Sequence, residues 1–182
     1  LVMDGLRHMY QLQEDGLYYI TLYNENYPML AMPPGAEEGI IRGMYRLRAA
    51  DAGPGKPMVQ LLGSGPILRE VLRAQQVLCD RYGISSQVWS VTSYKELRRD
   101  ALAAQRWNML HPDHAPKRSF LEAAITGAQG PFVAASDYVR LVTEQIAPWL
   151  PGGLTVLGTD GFGRSETRAP LRRFFEVDAE CV

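Results

Sequence analysis

Two cysteines among 182 residues, Cys79 and Cys181, offer little with which to staple a fold. They stand far apart and form no CxxC pair, so two reduced thiols in a cytoplasmic protein are expected. A bulk field of one charge sign is also missing. Nineteen Lys and Arg residues against 20 Asp and Glu give a formal net charge of -1, too little basic excess to hold a nucleic-acid backbone. No apolar run approaches the roughly 20 residues needed to span a bilayer. The opening LVMDGLRHMY carries charge where a secretory signal has its apolar core, so none is expected. The chain has no G-x-G-x-x-G spacing, no Walker lysine and no H-E-x-x-H pair. Dinucleotide, nucleotide and zinc-protease sites therefore have no sequence support.

What is present is ordinary globular material, 46% hydrophobic and 21% charged. The length suits one α/β domain with a proper core and an appendage. The chain opens on Leu1 without a cap and closes on the apolar FFEVDAECV, which predicts a piece of a longer protein.

Along the chain, Val2, Leu6 and Met9 have helical spacing, and LYYITLYN (Leu17 to Asn24) predicts a strand. ENYPMLAMPPGAEEG is rich in proline and glycine and predicts a connector. IIRGMYRL alternates Ile41, Gly43, Tyr45 and Leu47 with Arg42, Arg46 and Arg48, an edge-strand pattern, and AADAGPGKP follows as a loop. The pattern then becomes regular. MVQLL, QVWSV, PFVAA and LTVLG predict short buried strands, each followed by a helix. Pro66 suits the first turn of one helix, with Ile67, Val71, Ala74 and Leu78 on its inner face and Gly83 at its end. Ser93 and Glu96 predict a capping box ahead of Leu97, Ala101, Ala104 and Trp107. A short helix is expected around Phe120 to Ile125. Asp137 predicts a cap for a helix with Tyr138, Leu141, Val142, Gln145, Ile146 and Trp149 at core spacing, and a last helix starts near Ser165. Such alternation predicts an α/β fold whose mostly parallel sheet is covered on both faces.

Ligands of open α/β sheets gather at the carboxyl ends of the strands. That selects Gly63–Ser64–Gly65, Thr92–Ser93, Ser136–Asp137 and Gly158 to Gly163. The GSG turn is better explained by close backbone approach than by anion binding. His111, Asp113 and His114 invite a metal reading but lack further ligands, so a polar loop bounded by proline is the better account. His8 reads as a surface or packing histidine. In GTDGFGRSETR two readings stand level. Arg164 takes an anion or a carboxylate from another subunit, or Asp160 satisfies loop amides while Phe162 packs beneath the next helix.

Several stretches together resemble the homodimeric type of pyruvate dehydrogenase E1 component. They are YYITLYNENYPM, PPGAEEGIIRGMYRL, VQLLGSGPILREV, QRWNMLHP, AASDYVRLVTEQI and GTDGFGRSETRAPLRRFFEVDA. The resemblance implies a three-layer α/β/α, transketolase C-terminal-domain-like fold in which one antiparallel strand joins four parallel ones. The tail of a second α/β domain precedes it. Residues 1–38 would be the tail of the middle, pyrimidine-binding domain with its linker, and 39–182 the C-terminal domain, cut short at its end. The implied enzyme uses thiamine diphosphate and Mg²⁺ to decarboxylate pyruvate and reductively acetylate the lipoyl group of its E2 acetyltransferase partner, working as a homodimer. The family's GDG-to-Asn cofactor motif and its middle-domain Glu do not occur in these residues, so no catalytic, cofactor or metal ligand carries over. Asp160, Phe162 and Arg164 are expected to shape a support loop near the subunit interface. Ala101 and Met3 depart from the family's usual Gly and His. The alternatives are an E1 for another short 2-oxo acid, a non-catalytic dimerisation or docking module, and a free-standing flavodoxin-like domain.

Overall fold

The computed structural model describes residues 1–51 and 53–182. At the middle of its sheet lies β2 (Met58–Gly63), buried at every position after the first. A strand apolar on both faces needs cover on both. β2 pairs in parallel with β3 (Ser85–Val91) on one side and β4 (Phe132–Ala135) on the other. β5 (Leu154–Leu157) continues the parallel set beside β4. β1 (Met44–Ala50) closes the opposite edge, antiparallel to β3, giving the order β1-β3-β2-β4-β5.

Side-chain alternation divides the interior into two cores. On one face Leu62, Trp89, Phe132 and Ala134 meet Leu97, Leu121 and Ile146. On the other, Leu61, Val88 and Ala135 meet Ile67, Val71 and Val177. The three layers are thus two helical layers around one sheet. Gln60 is wholly buried in the middle strand. Its amide donates to the Gln129 carbonyl at 2.9 Å and accepts from the Trp89 indole at 2.9 Å, so its burial leaves no unmet polar group.

Helix signals explain most boundaries. A short 3₁₀ turn, Gly65–Ile67, carries Pro66 into α3 (Leu68–Tyr82), which stops at Gly83 with φ 62. α4 (Tyr94–Leu110) starts where Ser93 Oγ accepts from the Glu96 amide. Glu96 itself turns outward to Arg99, so the expected capping box is only half formed. A complete reciprocal box, Ser119 with Glu122, opens α5 (Phe120–Ala124) instead.

Three expectations are corrected. Leu17 to Asn24 is not a strand: it pairs with nothing, and Leu17, Tyr19 and Leu22 are more than 80% exposed. Strand propensity is largely a fit to neighbours, and this segment has none beside it. Tyr18 instead lays its ring over Gly5 of α1 (Val2–Leu6) and donates to Asp4 at 2.8 Å. A π-helical turn, Arg7–Gln11, extends α1. The run IIRGMYRL is split. Its first half ends α2 (Glu37–Arg42), and Gly43, with φ 111, turns the chain into β1. A Cβ at Gly43 would lie 2.6 Å from the Ser93 carbonyl, so the turn demands glycine. Asp137 caps no helix. α6 (Arg140–Glu144) starts after Val139, Tyr138 and Leu141 face outward, and the Asp137 carboxylate accepts from Tyr23.

Of the expected loop AADAGPGKP, Ala49 and Ala50 belong to β1, while Ala52 lies outside the described residues. α7 (Arg168–Phe174) is the last helix. Among the described residues no helix is long and apolar enough to cross a membrane.

Two phenylalanines test this account of the core. Phe132 is 1% exposed and Phe162 is 96% exposed. Phe132→Ala is expected to cost about 3–5 kcal/mol and Phe162→Ala within about 0.5 kcal/mol in urea unfolding.

Candidate functional site: a cavity at the strand ends

From β2 the chain passes to β3 on one side, then crosses back to β4 on the other. The connections after β2 and β4 leave in opposite directions, and their carboxyl ends open a crevice at this switch point. Three of the four loops singled out from sequence converge there. Ser64 Oγ donates to Ser136 Oγ at 2.8 Å, both residues buried, tying the β2 loop to the β4 loop. Thr159, after β5, donates its hydroxyl to the Asp137 carbonyl at 2.6 Å and its amide to the Tyr138 carbonyl at 2.9 Å. The fourth loop lies elsewhere, with Thr92 Oγ1 donating to the Ile40 carbonyl.

Above these loops is a cavity of about 450 Å³. Its apolar wall includes Pro66, Ile67, Leu171, Phe175 and Val177, and its polar rim includes Tyr23, Tyr27, Asp137, Arg164, Arg168 and Arg172. The glycine at position 65 has φ +54, and a Cβ there would stand 2.3 Å from the Tyr23 hydroxyl. That hydroxyl donates to Asp137 Oδ1 at 3.3 Å. Burial pushes the Asp137 carboxyl up, and the Tyr23 hydrogen bond opposes this only in part. Tyr23 is pushed up as well, first by burial and then by the Asp137 charge.

The outer wall is held by a clamp between NENY and α7. Arg168 Nε lies 2.7 Å from Glu25, and its Nη2 donates to Asn24 at 3.3 Å. One turn on, Arg172 meets Glu70 of α3 at 3.0 Å and donates to the Tyr27 hydroxyl at 3.2 Å. Arg69 lies over the Tyr27 ring, 5.1 Å from its centroid. The Arg168–Glu25 pair is exposed and contributes about 0–1 kcal/mol. Glu70 is the stronger anchor, because its carboxylate is nearly out of solvent and needs its two arginines, Arg73 and Arg172.

In the GTDGFGRSETR loop, Asp160 accepts from the Arg140 amide at 2.9 Å and pairs with Arg140 Nε at 2.8 Å. These contacts hold its carboxyl below the usual carboxylate range. Asp160 takes the amide of Arg140, the first residue of α6, rather than an amide of its loop, and Phe162 packs beneath nothing and points to solvent. Arg164 stacks on Phe174 at 4.1 Å, and no carboxylate pairs with it among the described residues.

The histidines are accounted for by local contacts. His111 stacks on Trp107 with centroids 4.4 Å apart and bonds its carbonyl, and His114 meets both rings edge-on. His8 Nδ1 lies 2.6 Å from Glu14 on an exposed helix face.

Sequence reasoning missed Tyr23, Tyr27, Glu70, Arg168 and Arg172. The signals were two tyrosines four apart in YNENY and two arginines four apart on one helix face.

Arg172→Ala leaves Glu70 with only the solvent-facing Arg73 and leaves the Tyr27 hydroxyl with Glu25 alone. A loss of about 1–3 kcal/mol is expected in urea unfolding, with faster proteolytic cleavage between residues 24 and 33. Asp137 acts in the opposite sense. Its folded-state pKa is raised, so its contribution favours folding below the unfolded value and is lost as pH rises through the folded one. Asp137→Asn is therefore expected to be at least as stable as the parent at pH 7. The parent's advantage should shrink between pH 4 and pH 7 in thermal melts, and the variant's should not.

The transketolase-like TK C-terminal domain family matches residues 43–178. Over its whole length the chain is 53% identical to the "Pyruvate dehydrogenase E1 component" of Pseudomonas aeruginosa, 50% to that of Escherichia coli K12 and 40% to that of Mycolicibacterium smegmatis. It spans about a fifth of the length of these relatives (21%, 20% and 20%). Two solved transketolases share the fold. That of Campylobacter jejuni aligns over 77% of this chain and 17% of its own, with TM-score 0.51 and 14% identity. That of Leishmania mexicana aligns over 80% and 17%, with TM-score 0.50 and 21% identity. The matched span takes in the whole five-stranded sheet and the helices from α3 to α7, and the chain belongs to the transketolase-like TK C-terminal domain family.

Proposed function

We propose that this chain is the C-terminal part of a pyruvate dehydrogenase E1 component, a cytoplasmic homodimer that uses thiamine diphosphate and Mg²⁺. In that role it decarboxylates pyruvate and passes the acetyl group to the lipoyl group of an E2 acetyltransferase. The observation that carries this reading is identity of 40–53% across every residue of the chain to proteins of that name. Bound thiamine diphosphate supplies the electron sink for decarboxylation.

The donor set of this chain does not fit that group. A Mg²⁺–diphosphate needs several oxygen ligands in one place. Among the described residues no three His, Cys, Asp or Glu side chains stand together as a metal site. The reading assigns the chemical step to no residue here and gives this segment the part of support and assembly.

Within that reading, residues 1–38 are the tail of the pyrimidine-binding domain and 39–182 the C-terminal domain. The division is supported by the start of the family match at residue 43 and by the exposed apolar side chains before it, such as Met3, Tyr19, Leu22 and Met29. Exposed apolar surface on this scale marks a buried contact in the complete protein. The Asp160–Arg164 loop is a support loop beside the subunit interface. Its support is the ring of Phe162, fully presented to solvent on a loop that Asp160 fixes to Arg140.

With the full-length protein, thiamine diphosphate and Mg²⁺, CO₂ release is expected to be faster with pyruvate than with 2-oxobutyrate or 2-oxoglutarate. Preference for either of the others would redirect the substrate assignment. Phe162→Ala is expected to raise the dimer dissociation constant, on the order of tenfold in analytical ultracentrifugation, without changing cofactor affinity in the dimer. Weakened cofactor binding with an unchanged dimer would contradict the interface role.

A further inference from the structure

The outer face of α4 carries charge that nothing on the chain uses. The helix has two acids, and both are committed. Glu96 pairs with Arg99, and Asp100 takes Arg42 at 3.2 Å together with the Phe120 amide at 2.6 Å. Lys95, Arg98 and Arg106 on the same helix have no carboxylate partner among the described residues. Arg98, Leu102, Arg106 and Met109 follow one another at steps of four, four and three, so they form a single stripe. All four are exposed, Met109 at 70%, while Leu97 and Ala101 hold the opposite side of the helix in the core. The leading segment comes near the first turn of α4. The Tyr18 hydroxyl there is pushed up first by its Asp4 hydrogen bond and least by the Glu96 charge. The free face is therefore counted from Arg98 onward. Asp113, the next acid in sequence, lies in the loop beyond the end of the helix.

We infer that this stripe of α4 docks an acidic amphipathic helix of a partner protein, its carboxylates on Arg98 and Arg106 and its apolar side chains on Leu102 and Met109. Charge and spacing set the occupant. The formal net charge of the chain is -1, so the cationic stripe is a local feature and not part of a basic field. A helical rise of 1.5 Å per residue puts the two arginines roughly 12 Å apart along the axis, with Leu102 midway. A partner helix whose acidic and apolar residues alternate every three or four positions presents the same spacing. Each guanidinium can pair a carboxylate through two hydrogen bonds. A face made to lie on an anionic membrane combines Lys with Trp or Phe, and the stripe has none of these. Arg and Met are the residues enriched at protein interfaces, where Lys is depleted. The stripe goes beyond the E1 reading, since no step of the argument uses the 2-oxo acid, the cofactor or the lipoyl partner.

The test is fluorescence anisotropy of the full-length protein with a labelled Ala-based peptide of roughly 18 residues, long enough to be helical. The peptide carries Glu, Leu, Glu and Leu at steps of four, four and three. Two control peptides replace both Glu by Gln or both Leu by Ala. Saturable binding of the first peptide is expected, at least tenfold tighter than either control and weakening as salt rises. The Arg98→Gln, Arg106→Gln double variant should lose about tenfold, the sum for two exposed charge pairs, with its circular dichroism unchanged. Leu102→Ala should bring the first peptide towards the affinity of the Ala control. Arg81→Gln removes an exposed charge from α3, in the other helical layer, and should bind like the parent. The assignment is overturned if the first peptide does not saturate, if the Gln control binds as tightly, or if Arg81→Gln loses as much as the double variant. Tighter binding to vesicles of phosphatidylglycerol and phosphatidylcholine than to the peptide would make the stripe a membrane face and overturn it too. So would a structure of the full-length dimer in which the protein's own subunits cover the stripe. None of these measurements reads turnover or cofactor binding, so their failure would leave the 2-oxo acid reading untouched.

Discussion

Everything in this domain is arranged around the burial of β2. A six-residue strand hidden on both faces and paired on both edges forces the chain to cover two surfaces and fill two sides. α3 takes one face and α4 with α5 the other, and the chain must reverse its direction of travel between β3 and β4. Close packing enforces this at individual positions. Gly130, with φ +84, passes so near the Met58 carbonyl that any side chain there would collide with it. The crevice at the carboxyl ends of β2 and β4 follows from that reversal, and the cavity with its arginine rim is built on the crevice.

The second constraint links distant parts of the sequence. NENY and the last helix are about 140 residues apart, yet Arg168 and Arg172 bring them together over Glu70. Of these, the exposed Arg168–Glu25 pair adds little stability and the Arg172–Glu70 pair is the anchor. What they fix is geometry, because Tyr23 and Tyr27 are set as one wall of the cavity and Tyr23 is carried onto Asp137. The segment ahead of the domain is thereby seated on the same end of the sheet that its loops form. Two of the motifs that carried the family resemblance are thus parts of one contact.

How much of this the residues declared in advance depended on the range of the interaction. Local signals were legible. Gly83 stopped α3, Ser93 opened α4, and the apolar runs from Met58 onward became parallel strands. The alternating arginines of β1 marked an edge, and the family resemblance supplied its antiparallel sense. Failures came where a long-range partner decided the outcome. Leu17 to Asn24 has the composition of a strand but no neighbouring edge, and Asp137 forgoes its cap for a tyrosine more than 100 residues away. The clamp was invisible for the same reason, since no local pattern links Tyr27 to Arg172. In the GTDGFGRS loop the place after a strand was readable from sequence. The contacts of Asp160 with Arg140 and of Arg164 with Phe174 needed coordinates.

The central functional claim is that this domain supports an active site whose cofactor ligands lie outside it. It is tested most directly by titrating thiamine diphosphate, in the presence of Mg²⁺, into the 182-residue chain and into the full-length protein. Circular dichroism should first establish that the chain is folded. The account predicts saturable Mg²⁺-dependent binding by the full-length protein and none by the folded chain. Tight Mg²⁺-dependent binding by the chain alone would contradict it.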